Sequence, residues 1–246
     1  MFSNSQTRAP SLAGANLRRL VKVAAESSRL NGGKTTTTKV LHVIRHGATE
    51  MAAYMALHKY GSPHQEPLRD PLLYDTVLTR EGLRKVQQLA PRVAALEPRP
   101  QLVLTSPLTR CLQTATAACE LLLAQQPTMP VVAEPLLRER LTLSSEVGRP
   151  PRELQQEYPR VRFPADMPDV WWYTAGAGAG PDAGADPRVV TREPQGVYDE
   201  RLAALRLLLA ERPEQCLLLV AHWGVLRALT GADLQPGEMA SVEFEL

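Results

Sequence analysis

Two histidines and two arginines of this 246-residue sequence lie where apolar runs end. Arg45 and His46 follow the run VLHVI, His222 follows CLLLVA, and Arg110 comes shortly after LVLT. Near-continuous apolar runs are typical of buried parallel strands, and open α/β sheets bind ligands beyond the carboxyl ends of their strands. Guanidinium groups match the oxygens of phosphate, and a neutral imidazole is a competent nucleophile at pH 7. We therefore predict a site for a compact dianion, with phosphate the obvious candidate.

The segments that must position these side chains alternate between strand-like and helix-like patterns. Four have the composition of buried strands: KVLHVIRHG, PQLVLTS, MPVVAEP and QCLLLVAH. Four others have helical patterns: LTREGLRKVQQLAPRVAAL, PLTRCLQTATAACELLLAQQ, VYDERLAALRLLLAERP and WGVLRALTG. Because strands that alternate with helices form α/β folds, we predict a three-layer α/β/α sandwich. Its sheet is expected to be mixed but largely parallel, with helices on both faces.

Local signals predict where some of these helices begin and bend. Thr79 is expected to be the N-cap of one helix, which Pro91 should bend or break. Ser106 is expected to be the N-cap of the next, with Pro107 at its first helical position. Gly47 is expected to let the backbone turn sharply after His46 and to leave room for a ligand.

Five ordered motifs resemble those of a known family. RHGATE with its upstream strand, LTREG, TSPLTRCLQTA, LLRE and VAHWGVLRAL resemble the elements of the histidine phosphatase superfamily, the phosphoglycerate mutase-like enzymes. Their order and spacing agree from Lys39 to the C-terminus. The resemblance implies the phosphoglycerate mutase-like fold. The combination of YDTVLT with LRERLTLSSEVGRP is most similar to the plant, algal and fungal branch of that family.

The resemblance also implies a role for each candidate site residue. His46 is the nucleophile that takes the phosphoryl group, Arg45 and Arg110 bind its oxygens, and His222 completes the pocket. Glu139 protonates the leaving alkoxide and then helps to activate the water that hydrolyses phosphohistidine. These roles agree with the chemistry of phosphoryl transfer, which depends mainly on positioning and charge stabilisation. No cofactor and no metal ion are expected.

At some positions around the site the choice of catalytic acid stays open, and at others the sequence departs from the family pattern. Glu134 and Glu146 are acidic neighbours that could serve in place of Glu139. Thr49 is expected to hydrogen-bond the phosphate, whereas Ala52 stands where members of the family often carry an asparagine that contacts phosphate. The segment RERLTLSSEVGRPP replaces the run that follows the acid in authentic mutases, which favours a hydrolase over a mutase.

Several other residues invite a functional interpretation but have a simpler structural one. His42 is expected to be a satisfied core histidine, and His58 and His64 to be exposed in a proline-rich loop. Trp171, Trp172 and Tyr173 are expected to pack a loop onto the core rather than to line a lid. Four arginines could bind a second anionic group of the substrate or form a solvated basic face: Arg138, Arg140, Arg149 and Arg152.

Composition excludes several classes of protein. No run of about 18 apolar residues is present, so no membrane-spanning helix is expected. Three scattered cysteines argue against a disulfide framework or a zinc finger and fit a reducing compartment. The net charge of +2 combines +5 in residues 1–38 with −3 in the remainder, so a nucleic-acid surface is not expected on the body of the protein.

The chain divides into three predicted regions. Residues 1–38 are a disordered extension or a transit-like segment, and residues 39–246 form the catalytic domain. Within it, residues 138–190 are a variable lid that includes TAGAGAGPDAGAD, a low-complexity stretch expected to be a mobile loop. The protein is predicted to be cytoplasmic, with a plastid or mitochondrion as the alternative if the N-terminus is a transit peptide.

The predicted function is hydrolysis of a small phosphorylated metabolite through a phosphohistidine intermediate. One alternative is phosphoglycerate mutase-type phosphoryl transfer. A second is a catalytically weak module that binds phosphate ligands. A metal hydrolase that uses His46, His222 and Glu139 is a third, although the sequence has no metal-ligand motif such as His-Glu-x-x-His.

Overall fold

The structure, a computed structural model, describes residues 38–58, 70–175 and 186–245. Five strands occupy Thr38–Arg45 (β1), Leu102–Thr105 (β2), Val131–Ala133 (β3), Cys216–Ala221 (β4) and Met239–Glu245 (β5). The helices are Glu50–Leu57 (α1), Arg80–Gln87 (α2), Ala90–Ala94 (α3), Thr109–Ala118 (α4), Glu120–Gln125 (α5), Pro151–Glu157 (α6), Gln195–Glu211 (α7) and Trp223–Thr230 (α8). In the described ranges, no helix has the length and apolar character needed to cross a bilayer.

The five strands form one mixed sheet in the order β3-β2-β4-β1-β5. Strands β1 to β4 run parallel, and β5 pairs antiparallel with β1 at the edge. The predicted largely parallel mixed sheet is confirmed, but the sequence interpretation did not find β5 itself. Its sequence MASVEFE has only one buried residue, Phe244, because it covers an edge rather than the centre of the sheet.

Alternate side chains of the strands enter two separate cores, one on each face of the sheet. On one face, strand residues such as Ile44 and Leu218 pack with apolar side chains of α2 to α5. On the other, residues such as Val43 and Leu219 pack with α7 and α8. Because every buried strand supplies side chains to both faces, helices must cover both, which confirms the three-layer α/β/α sandwich.

The predicted helix signals around Thr79 and Pro91 are confirmed. The Thr79 hydroxyl accepts a hydrogen bond from the Gly82 N–H at 2.9 Å and caps α2. The predicted single helix is interrupted after Gln87, and Pro91 stands in the first turn of α3, where its missing N–H costs no hydrogen bond.

The prediction that Ser106 is the N-cap of the next helix was wrong. Leu108 is the N-cap of α4, and Pro107 lies before the helix. The Asp75 carboxylate accepts hydrogen bonds from both the N–H of Thr109, at 2.8 Å, and its hydroxyl, at 2.5 Å. An acid from a distant segment thus satisfies the start of this helix. The Ser106 hydroxyl accepts only a longer hydrogen bond from the Leu108 N–H, at 3.4 Å, and its O–H can serve another partner.

The described part of the region 138–190 contains more regular structure than its composition suggested. It contains α6, a 3₁₀ turn at Ser144–Glu146 and the pair Trp171 and Trp172, whose side chains are 6% and 7% exposed. The indole N–H of Trp171 donates to the Arg149 carbonyl at 2.8 Å. These tryptophans therefore pack the region onto the core, as expected. Most of TAGAGAGPDAGAD, His64 and residues 1–37 lie outside the described residues.

Candidate active site

The carboxyl ends of β1 and β4 bring two of the predicted site residues side by side. Arg45 pairs with Ala221 in the parallel register, so His46 and His222 follow at the same level of the sheet. The backbone N–H of His46 donates to the Ala221 carbonyl at 3.0 Å. The two imidazole rings meet edge to face with their centroids 5.1 Å apart. The strand ends thus bring the two imidazole rings into contact.

The hydrogen bonding of His46 suits a nucleophile. Its Nδ1 lies 2.8 Å from the carbonyl oxygen of Gly47, which can only accept, so Nδ1 carries the proton. In the neutral ring Nε2 then holds the free lone pair. Burial, and next the positive charge of Arg110, hold the pKa of His46 well below its ordinary value. The ring is therefore neutral and ready to attack an electrophile at neutral pH.

Gly47 has a different role from the sharp turn that we expected. Its φ is not in the left-handed region, and among the described glycines only Gly231 and Gly237 have positive φ. A Cβ on Gly47 would instead lie 2.8 Å from the Val86 side chain of α2. At Gly82 a Cβ would lie 2.2 Å from the carbonyl oxygen of Ala48. The two glycines let α2 pack directly against the loop that carries His46.

Replacement of Gly82 by Ala is expected to disturb both stability and activity. The new methyl group must displace α2 or the His46 loop, and overpacking of this kind costs about 1–3 kcal/mol of unfolding free energy. Denaturant unfolding and kcat/KM measure the two effects. Gly196→Ala is the matched control, because nothing lies within 4 Å of its added Cβ and alanine is favoured in a helix. Equal stability and activity of the two variants would contradict this account of the packing.

Arg110 is fixed in the site by the 3₁₀ turn of the region 138–190. It is the second residue of α4 and is only 3% exposed. Its Nη1 donates to the Ser145 carbonyl at 2.6 Å, and its Nη2 lies 3.8 Å from a Glu146 carboxylate oxygen. Asp70 in turn accepts from the N–H and the hydroxyl of Ser144. Arg110 is thus a rigidly held cation whose remaining donors can serve an anion.

Arg45 has an unsatisfied donor in the site. Its Nη1 donates to the Leu234 carbonyl at 2.8 Å, while its Nε is buried with no protein partner in the described part of the chain. Burial lowers the pKa of this guanidinium, and the charge of Glu139 acts in the opposite direction. A buried guanidinium N–H without a partner costs free energy, so the arrangement is suited to an anionic ligand that accepts from it.

His222 is fully buried and is held by a residue that we had placed at a helix end. Its Nε2 lies 2.8 Å from the Ser106 hydroxyl, and the thiol of Cys111 lies 3.5 Å from the same nitrogen. Burial, and then Arg110 and His46, keep its pKa well below the ordinary value. Ser106 is the positioning residue that the sequence interpretation missed, although it stands in the quoted motif TSPLTR.

Glu139 closes the site from the side of α8. Its carboxylate accepts hydrogen bonds from the N–H of Arg140 at 2.9 Å and of Gly224 at 3.3 Å. Burial raises its pKa, and the N–H of Arg140 and the charge of Arg110 partly oppose that shift. Because Gly224 is two residues beyond His222, these contacts place the carboxylate next to the second histidine.

The two alternative acids have other partners. Glu134 caps the 3₁₀ turn Pro135–Leu137 by accepting from the Leu136 N–H. Glu146 accepts from the Leu143 N–H at 2.7 Å and faces Arg110. Of the three carboxylates, Glu139 alone contacts the segment that follows His222.

Thr49 and Ala52 meet at the start of α1. The Thr49 hydroxyl accepts from the N–H of Ala52 at 3.1 Å and is the N-cap of the helix, while Ala52 is exposed. The hydroxyl therefore already has a structural role, and its predicted contact with phosphate stays a prediction. His42 is buried between the Ser241 hydroxyl and the Pro98 carbonyl, as expected of a core histidine.

A comparison with protein-family models supports the resemblance that the five motifs suggested. The family model for the histidine phosphatase superfamily, branch 1, matches residues 41–244. The chain belongs to this superfamily. The match spans every motif that suggested the resemblance. Within the described residues, no group of three or more His, Cys, Asp or Glu side chains could hold a metal ion.

Solved structures of phosphatases are among those that are similar to this chain. A protein of Escherichia coli described as an α-ribazole-5′-P phosphatase is 21% identical, covers 85% of this chain and 93% of its own, and has a TM-score of 0.50. An ecdysone phosphate phosphatase from Bombix mori is 18% identical, with coverage of 81% and 82% and a TM-score of 0.46. A mycobacterial glucosyl-3-phosphoglycerate phosphatase is 16% identical, with coverage of 84% and 90% and a TM-score of 0.44.

No curated protein matches the chain by sequence. None of the comparisons supports the narrower resemblance to the plant, algal and fungal branch, which stays a prediction from its two motifs.

Proposed function

We propose that this protein is a phosphatase that hydrolyses a small phosphate monoester through a phosphohistidine on His46. The observation that carries the proposal is the state of His46. Its Nδ1–H donates to the Gly47 carbonyl, so the lone pair of Nε2 is free beside the half-buried cation of Arg45 and the buried cation of Arg110. A neutral nucleophile among fixed positive charges is suited to attack a phosphorus atom whose oxygens carry negative charge.

The first half of the reaction transfers the phosphoryl group to the enzyme. Nε2 of His46 attacks phosphorus, and an N–P bond forms as the ester P–O bond breaks. Arg45, Arg110 and His222 stabilise the charge on the phosphoryl oxygens. The electron pair of the broken bond leaves with the ester oxygen, which takes the proton from Glu139 and departs as an alcohol.

The second half of the reaction regenerates the enzyme. A water molecule attacks phosphorus and gives its proton to the Glu139 carboxylate. The N–P electron pair returns to Nε2, and inorganic phosphate leaves. Glu139 is protonated again and His46 is neutral, so the cycle is balanced without a cofactor.

Three rival functions, a mutase, a binding module and a metal hydrolase, each predict a different experimental signature. A mutase would return the phosphoryl group to another position of phosphoglycerate instead of passing it to water. A binding module would hold phosphate ligands without forming phosphohistidine, and Ala52 at the usual asparagine position motivates that alternative. The segment RERLTLSSEVGRPP after β3, which departs from the mutase pattern, favours the phosphatase.

The experiment that separates these functions follows the fate of the phosphoryl group. The full chain is incubated with an alkyl phosphate in ¹⁸O-labelled water with excess chelator. We expect inorganic phosphate that carries one oxygen from water, together with an acid-labile phosphoenzyme. In a parallel incubation with phosphoglycerate, exchange of the phosphoryl group between its positions without net release would identify a mutase. Binding of phosphate without hydrolysis of the ester and without a phosphoenzyme would identify a binding module. Loss of activity in the chelator that a divalent metal restores would identify a metal hydrolase.

A further inference from the structure

A cleft of about 700 Å³ opens beside the site on the side of Glu139. Residues from the segment after β3, from the segment just before α7, from α7 and from α8 line it: Glu139, Arg140, Thr142, Arg192, Tyr198, Trp223, Gly224, Arg227 and Ala228. Glu139 is the residue that belongs both to this cleft and to the proposed catalytic group. Since Glu139 would give its proton to the leaving oxygen, the cleft lies where the alcohol part of the substrate must sit.

The cleft is strongly cationic. Three arginines line it, Arg140, Arg192 and Arg227, and in the described part of the chain none of them forms an ion pair. Glu139 is the one acid among the lining residues, and burial raises its pKa. When Glu139 is protonated to act as an acid, the walls carry three positive charges and no negative charge.

The acids near the cleft are engaged elsewhere. Glu193 accepts from the guanidinium groups of Arg138 and Arg201 at 2.7 and 3.0 Å. Asp199 accepts from the Gln195 amide at 2.7 Å, and Asp233 accepts from the Trp223 indole N–H at 2.7 Å. In the described part of the chain, none of these carboxylates forms an ion pair with Arg140, Arg192 or Arg227.

The arginines that the sequence had suggested as a second anion site divide into two kinds. Arg138 pairs with Glu193, Arg149 with Asp75 and Glu157, and Arg152 with Asp169. Arg140 is the member of that group that faces the cleft. Arg192 and Arg227 come from other parts of the chain, so the charge of the cleft is a product of the fold.

Arg140 and Arg227 are held against aromatic rings. The Nε of Arg140 donates to the Glu193 carbonyl at 2.9 Å and its Nη1 to the Gln195 side chain at 2.6 Å, which orients the guanidinium over Tyr198. The guanidinium of Arg227 lies 5.1 Å from the ring centroid of Trp223, whose side chain is 40% exposed. A ligand in the cleft thus meets oriented cations and an aromatic surface.

We infer that the natural substrate is a phosphomonoester whose leaving group carries a second acidic group, such as a carboxylate, sulfate or further phosphate. The second anion binds Arg140, Arg192 and Arg227, and the apolar part of the leaving group lies along Trp223 and Tyr198. This assignment rests on the proposed phosphatase function, because it is that reaction which places the leaving group beside Glu139.

A matched pair of substrates tests the inference. 4-Carboxybenzyl phosphate and 4-carbamoylbenzyl phosphate have the same shape and differ in the charge of the remote group. We expect kcat/KM to favour the carboxylate at least about tenfold, as one charge-assisted hydrogen bond would give. Arg140→Gln and Arg227→Gln should each reduce that ratio. Arg92→Gln, an exposed arginine of α3, is the control that should leave it unchanged.

A binding measurement keeps this inference separate from the proposed function. Calorimetry with the two corresponding benzylphosphonates compares affinities without any turnover. Preference for the carboxylate in binding, lost in the arginine variants, would support the cationic subsite even if neither ester were hydrolysed, in which case only the phosphatase proposal would fail. Equal kcat/KM and equal affinity for the charged and neutral compounds would overturn the inference and leave the phosphatase proposal intact.

Discussion

His46→Ala is expected to lower kcat for any phosphomonoester by about 10⁴-fold or more, the scale found when a catalytic nucleophile is removed. The methyl group of alanine cannot form the N–P bond, and water has no comparable base to activate it at that position. The remaining cations, Arg45 and Arg110, are expected to keep binding phosphate. The loss should therefore fall on kcat, while the affinity for inorganic phosphate changes much less.

The decisive readout of this variant is the covalent intermediate. Rapid quenching of the parent protein should trap a phosphoenzyme that is labile in acid and stable in base, and the variant should show none. His58→Ala is the matched control, because His58 is exposed at the end of α1. A phosphoenzyme of full yield in His46→Ala would assign the nucleophile to another residue, and His222 would then be the next to replace.

The site residues that could be predicted from the sequence alone are those that directly follow a buried strand. Arg45, His46 and His222 follow buried apolar runs directly, and parallel register alone brings such residues to one edge. Arg110 comes shortly after its apolar run and was predicted on the same ground, whereas Glu139 was assigned only through the family motif LLRE. The fold gathers these residues, while their catalytic roles stay predictions.

The contacts that could not be predicted are those that distant segments supply. Ser106 has the sequence signals of an N-cap, but Asp75 satisfies the start of α4 and Ser106 hydrogen-bonds His222 instead. Gly47 resembles a turn glycine, but its constraint comes from α2. In each case local propensity was overridden by a tertiary contact. Arg192 and Arg227 could not be predicted to act together either, because they are distant in sequence and line one cleft only in the folded chain.

Glu139→Gln is expected to lower kcat/KM for an alkyl phosphate by about 10²–10⁴-fold, the usual contribution of a general acid. Glutamine keeps the size of the side chain, and its single oxygen can still accept from the N–H of Arg140. The amide nitrogen that takes the place of the second oxygen cannot accept from the Gly224 N–H and has no acidic proton to give. An ester with an activated leaving group, such as 4-nitrophenyl phosphate, departs without protonation and should lose far less. The ratio of the two losses measures the proton donation.

The pH dependence gives a second and independent signature of Glu139. Burial raises its pKa, so the acidic form persists to higher pH than in an exposed glutamate, and a bound dianion raises the pKa further. Activity on the alkyl ester should therefore fall as pH rises through this pKa. This fall is the basic limb of the pH profile, and Glu139→Gln should remove it. The pKa of His46 is lowered by burial, so its neutral form persists to lower pH. The acid limb of the profile, where activity falls as His46 becomes protonated, should therefore remain in the variant.

Glu134→Gln is the control for both measurements, because Glu134 is also a carboxylate whose pKa is raised by burial, yet it caps a 3₁₀ turn instead of facing Gly224. If Glu134→Gln removed the basic limb and Glu139→Gln kept it, the general acid would be misassigned. If neither variant altered it, the limb would belong to a group outside this pair. Loss of the limb in Glu139→Gln alone, with the larger defect on the alkyl ester, would establish that one buried carboxyl links the phosphoryl pocket to the cleft that receives the leaving alcohol.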